Sequence, residues 1–194
     1  MGNIDMGVVF SKSWDLFSKN ALPLIVGTLI CFVLGVVTLG IALPALTAGM
    51  YIIINKSWEG ETAVISDIFN GFNDFGRYFF GGVIYAVASI IGILLCGVGI
   101  LFTTAILLIF FPLMVDRGMQ ATDAMSLSFD LFKLYWLGFL VLLLASTIIE
   151  SMGNLIPFGV LLTMPYAKCM VYVGYQQVME GEKGDNRVAL NEEE

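Results

Sequence analysis

Apolar residues in this chain fall into two kinds of stretch, short segments at helical spacing and long runs without a single charge. Phe10, Trp14 and Phe17 stand at i, i+4 and i+7, as do Ile65, Phe69 and Phe72, and Met125, Phe129 and Phe132. That spacing puts each triplet on one face of a helix. Within each lies one motif, an aromatic, then Asp or Asn, any residue, and Phe: Trp14-Asp15-Leu16-Phe17, Phe69-Asn70-Gly71-Phe72 and Phe129-Asp130-Leu131-Phe132. Each copy leads directly into a long hydrophobic run. The pattern predicts three amphipathic helices lying at a membrane surface, with the triplets as anchors in the acyl boundary.

No residue from Ala21 to Ile54, or from Tyr78 to Val115, is charged. About 20 residues cross a bilayer core, so each run must turn back. Gly35, Gly40 and Pro44 break the first and Cys96-Gly97-Val98-Gly99 the second. Crossings are expected near 21–39, 42–57, 78–97, 99–115, 134–153 and 156–178, the last entered through Pro157. The predicted fold is therefore all-α integral membrane, six transmembrane helices as three hairpins, each preceded by an interfacial helix.

Composition fixes the class. The 194 residues are 58% hydrophobic and only 13% charged, with mean hydropathy +0.90, against about 25% charged residues in a soluble domain. The first twenty residues lack the layout of a signal peptide. Histidine is absent, so a metal centre is not expected, nor any other cofactor. Cys31, Cys96 and Cys169 lie far apart in apolar runs and read as free thiols. The net charge of −7 is concentrated in the segment 180–194, which has six carboxylates against Lys183 and Arg187 and reads as a disordered tail. Basic patches interleaved with aromatics are missing, so nucleic acid is not an expected partner.

Lys12, Lys19, Lys56, Arg77, Arg117, Lys133, Lys183 and Arg187 all fall on the face that carries both termini. By the positive-inside rule that face is cytoplasmic. The units also match one another. Phe69, Gly99 and Thr103 advanced by 60 give Phe129, Gly159 and Thr163; Pro44, Tyr51 and Glu59-Gly60-Glu61 advanced by 121 give Pro165, Tyr172 and Glu180-Gly181-Glu182. One membrane domain, 1–179, is expected, with repeats over about 5–61, 62–118 and 122–182. Units in one orientation imply a pseudo-threefold bundle about an axis along the membrane normal.

The stretch Phe111-Pro112-Leu113-Met114-Val115-Asp116-Arg117-Gly118-Met119, followed by Ala124-Met125-Ser126-Leu127-Ser128-Phe129-Asp130-Leu131-Phe132-Lys133, resembles a largely uncharacterised multi-pass family of bacteria and archaea. That family is related to the membrane domain found beside glycerophosphodiester phosphodiesterases. The resemblance implies a multi-pass protein of a prokaryotic inner membrane. It carries no reaction with it, since the chain has neither the length nor the histidines and metal-binding carboxylates of the catalytic domain.

Glu150 and Lys168 are the only charges expected within crossings, and such charges are functional candidates. If Lys168 faces the interior it binds an anionic headgroup or solute; the bland alternative is that Glu150 snorkels outward and Lys168 extends to the interface beside Tyr172 and Tyr175. Asp116 and Arg117 read as a headgroup clamp or, more simply, as a solvated pair ending a helix. Ala88, Gly92 and Cys96 form a small-residue stripe for packing within the bundle or between copies. No nucleophile stands with a base. The expected role is non-enzymatic and structural, scaffolding or organising the membrane through contacts with lipids, copies of itself or other membrane subunits. The alternative is a transporter or channel for a small solute or lipid, built around Lys168, Asn55 and the turn glycines.

Overall fold

A computed structural model describes residues 4–94, 98–156 and 158–192, with side chains of residues 98 and 183–192 left aside. Cys96, Pro157 and the final two glutamates lie outside the described residues. The protein is all-helical, with no strand among the described residues. The elements are α1 (Met6–Lys19), α2 (Ala21–Val37), α3 (Leu43–Trp58), a 3-10 helix (Ile65–Phe72), α4 (Phe75–Leu94), α5 (Val98–Leu107), α6 (Phe110–Asp116), α7 (Ala121–Gly153) and α8 (Val160–Glu192).

Three stretches are long and apolar enough to cross a membrane: Phe75–Leu94, Gly99–Asp116 and Ala121–Gly153. The pair α1 and α2, bent by 85° at Asn20, makes a fourth if read together. Asp5 begins α1 by accepting from the N–H groups of Gly7 and Val8 at 2.8 and 3.2 Å, satisfying donors that a helix start leaves open. Pro112 explains the break between α5 and α6. Its ring clashes with the carbonyl four residues earlier, at Leu108, where the helix is interrupted. In α7, Tyr135 leaves helical geometry at φ −120° and ψ 25°, dividing an amphipathic first part from an apolar second part. The helix α8 runs on to Glu192 and so includes the backbone of most of the acidic segment.

Consecutive helices pack as pairs, α2 with α3, α4 with α5 and α7 with α8. The amphipathic segments pack across pairs. The α1 helix lies chiefly on α8, the 3-10 helix on α3, and α7 reaches α5 and α6 as well as α8. Phe132 meets Phe102 edge-on at 6.1 Å between ring centres.

The anchors divide into two groups. Phe10, Trp14, Phe69 and Phe129 are exposed, and Ile65, Phe72 and Met125 are half-buried. Phe17 and Phe132 are buried instead. The physical reason is that each stands where its helix turns toward the next element and is covered there. Phe17 meets Tyr166 of α8 at 5.9 Å, and Phe132 packs between Phe102 and Phe139. The inward face starts one residue before each motif, at Ser13, Ile68 and Ser128, all fully buried.

The second amphipathic segment is a 3-10 helix of eight residues where the spacing predicts an α-helix. Its backbone rests directly on α3. A Cβ on Gly49 would strike the Ile68 carbonyl, and one on Gly71 the Ala45 carbonyl. Asp67 pins the segment by accepting from Lys56 Nζ at 2.8 Å, Val64 N–H at 2.9 Å and Asn70 Nδ2 at 3.0 Å. Burial works against the Asp67 charge. The Lys56 hydrogen bond, the Val64 N–H, the Lys56 charge and Asn70 outweigh it and hold the carboxyl below the ordinary carboxylate range.

Candidate functional site

The core is carried mainly by α3, α6 and α8, and a cavity of about 470 Å³ lies beside them. Its wall runs from Gly40, in the turn between α2 and α3, down to Tyr51 and Val171. Such a volume is in the range of small-ligand sites, roughly 300–1,000 Å³.

Three wall residues, Thr47 of α3, Leu108 at the α5–α6 break and Lys168 of α8, stand 61 and 60 positions apart in the chain. Lys168 Nζ lies 5.2 Å from the centre of the Tyr51 ring, within cation–π range. Glu150 reaches the same cavity from α7, along with Ser146 and Thr147 one turn before it. Lys168 therefore lines the interior and neither it nor Glu150 is a purely outward group. The two charges share a cavity without forming an ion pair within 4.0 Å.

A polar knot lies below, on the side of Tyr172, which follows Lys168 by four residues or about 6 Å of helix. Tyr172 gives its proton to Asn55 Oδ1 and accepts from Gln176 Nε2 at 2.8 Å, with Asp116 Oδ1 3.4 Å away. Tyr175 donates to Asp116 Oδ2 at 2.5 Å. Trp58 closes edge-on over Tyr172, and Lys12 of α1 lies 5.0 Å above the Trp58 ring. Asn55, Asp116 and Gln176 are again spaced by 61 and 60. Asn55 of α3, Asp116 at the end of α6 and Gln176 of α8 thus meet at one point.

This corrects the reading of Asp116 and Arg117 as a pair. Asp116 turns in toward two tyrosines, Arg117 is exposed, and no ion pair joins them. Backbone direction is the reason, since adjacent residues on a helix point about 100° apart. Gly92 is buried against Thr103 of α5, at 2.6 and 2.9 Å from that side chain for an added Cβ. Its face is therefore used within the α4–α5 pair, while Ala88 is half-buried beside it. Cys31 and Cys169 are free and buried.

Tyr51, Tyr85, Tyr175 and Gln176 gave no separate signal as site residues in the sequence. The 121-residue offset that relates Tyr51 to Tyr172 also carries Asn55 onto Gln176, and that was the available clue. Among the described residues no group of three His, Cys, Asp or Glu converges as a metal site would require. What the cavity offers is one amine, one carboxylate and several hydroxyls, an arrangement suited to holding a charged or polar small molecule. No protein-family model matches the chain, and no match was found among curated proteins or solved structures.

Proposed function

We propose that this is a six-crossing membrane protein, three hairpins about a pseudo-threefold axis with both termini in the cytoplasm, whose axial cavity binds and passes a small polar solute or lipid headgroup. The observation that carries the reading is that Lys168 and Glu150, opposite charges on two helices, line one cavity. Charges within crossings are expensive and mark pathways. The scaffolding role expected from the sequence rested on an interior without polar chemistry, and the cavity shifts the weight toward transport. Support for the threefold arrangement comes from the recurring 61- and 60-residue spacing at the cavity and the knot, and from each amphipathic segment packing on another pair.

The knot of Tyr172, Asn55, Asp116, Tyr175 and Gln176 serves as the cytoplasmic closure of the pathway. On this reading the protein is non-enzymatic and belongs to a prokaryotic inner membrane.

Cysteine scanning tests it. In a chain with Cys31, Cys96 and Cys169 replaced, Thr47→Cys, Thr104→Cys and Ser146→Cys are expected to react with a membrane-impermeant thiol reagent from the outer face, and Ile53→Cys is not. Absence of labelling at all three cavity positions overturns the reading. A second reading, membrane organisation with copies of the chain or other subunits, is favoured by the exposed Phe10, Trp14, Phe69 and Phe129. Native mass spectrometry of gently extracted protein separates the two. A defined assembly supports organisation, and a single chain holding a small molecule supports the cavity.

A further inference from the structure

An amine and a carboxylate facing one cavity constrain what the cavity takes. Resting on the reading of the cavity as a solute site, we propose that its ligand is a small zwitterion, whose anionic end meets Lys168 and whose ammonium end meets Glu150.

A charge held away from bulk water is costly to leave unpaired; on the cavity wall Lys168 is half-buried and Glu150 is exposed. Opposite charges in such a place normally close on each other. Here they do not, for no ion pair within 4.0 Å joins them and neither makes a hydrogen bond to a described residue. Lys168 carries three donors and no acceptor, and its one close partner is the face of Tyr51. An anion alone would satisfy Lys168 and be repelled by Glu150. A cation alone would meet the opposite problem. A molecule with both charges, linked through a few bonds, completes both partners at once.

The hydroxyls fit the same polarity. Ser146 and Thr104 already donate to the carbonyls of Leu143 and Ile100, at 3.0 and 2.6 Å. What their oxygens have left to offer is lone pairs, which are acceptors. Ser146 stands one turn before Glu150 on the same face of α7, so that wall offers acceptors beside the carboxylate and suits an ammonium group. The facing wall, with Lys168 over Tyr51, has the strong donor.

The shared chemistry, an ammonium and a phosphate or carboxylate, occurs both in free solutes and in zwitterionic phospholipid headgroups. Delipidated full-length protein in a sugar-based detergent is titrated with O-phosphoethanolamine and with dihexanoyl phosphatidylethanolamine, and with inorganic phosphate and ethanolamine as single-charge probes. At least one zwitterion is expected to bind about tenfold more tightly than either single-charge probe, the scale of one charge-assisted hydrogen bond. Binding of O-phosphoethanolamine points to a free solute, and binding of the short-chain lipid alone points to a headgroup. Lys168→Met and Glu150→Gln are each expected to weaken binding about tenfold, while Lys168→Arg and Glu150→Asp retain it and report on folding.

Phosphate or ethanolamine binding as tightly as the zwitterions overturns the proposal. So does an unchanged affinity in Glu150→Gln. If no probe binds although Thr47→Cys is labelled from outside, the zwitterion is wrong and the cavity reading stands. If neither binding nor labelling is seen, both fall.

Discussion

Replacing Gly49 by alanine tests how the 3-10 helix is held to α3. The new Cβ would lie far inside contact distance of the Ile68 carbonyl oxygen, and 2.7 and 2.9 Å from the Ile68 carbonyl carbon and Cα. A carbon and a carbonyl oxygen rest about 3.3–3.6 Å apart, so the segment must retreat by about 1 Å or more. Backbone stands on both sides of the clash, so no side-chain rotation relieves it. Retreat also opens the seat of Ile68, which is fully buried. Overpacking costs about 1–3 kcal/mol, and partial exposure of the isoleucine adds a share of the about 1.5–3 kcal/mol that its full burial is worth. Against this, alanine gains up to about 1 kcal/mol over glycine in a helix. The net expectation is a loss of about 2 kcal/mol. Gly71→Ala strikes the Ala45 carbonyl from the opposite side and should behave alike, whereas Gly76, which has nothing within 4 Å of an added Cβ, should tolerate alanine. Unfolding midpoints in SDS–detergent mixtures measure all three. Wild-type midpoints for Gly49→Ala and Gly71→Ala would show that the 3-10 helix is not seated on α3 as described.

Three further substitutions probe buried polar groups. Because the folded Asp67 carboxyl titrates below its unfolded value, its contribution to stability is full above the unfolded carboxylate range, near pH 4, and is lost as pH falls through the lower folded value. Asp67→Asn should cost about 1–2 kcal/mol at neutral pH and flatten the acid limb of stability against pH. An acid limb as steep in the variant as in wild type would remove Asp67 as its source. The hydroxyls of Ser13 and Ser128 are fully buried and have no hydrogen-bond partner. Ser13→Ala and Ser128→Ala should each be neutral or stabilising by up to about 1 kcal/mol, and a lower melting temperature in both would show that the hydroxyls are paired after all.

Periodicity made the helices readable because a membrane leaves backbone groups few options. Without water to satisfy them, each uncharged run must be helical, and Gly40 then says where one of them turns, whereas the break before Pro112 and the bend at Asn20 are not in the pattern. Lateral packing was less accessible. Phe17 and Trp14 carry the same kind of side chain three residues apart and both meet the Tyr166 ring of α8, at 5.9 and 6.0 Å, yet only Phe17 is buried. The inward turn of Asp116 depends likewise on two tyrosines of α8. Lys168 is identifiable as a candidate from its residue type, but its direction follows from how α8 is rotated among its neighbours, where Gly174 packs closely on Leu142 of α7.

On the threefold arrangement proposed above, the meeting of Asn55, Asp116 and Gln176 at Tyr172 has a consequence for assembly. A ring built from three identical hairpins can only repeat one side chain at its centre. Three aspartates there would repel, and three amides would bring no charge. Joined in a single chain, the three positions vary independently, so one carboxylate sits between two amides and two phenols answer it. Covalent fusion thus converts a symmetric hole into an addressable one, in which a change at one of three related positions alters the charge at the centre without tripling it.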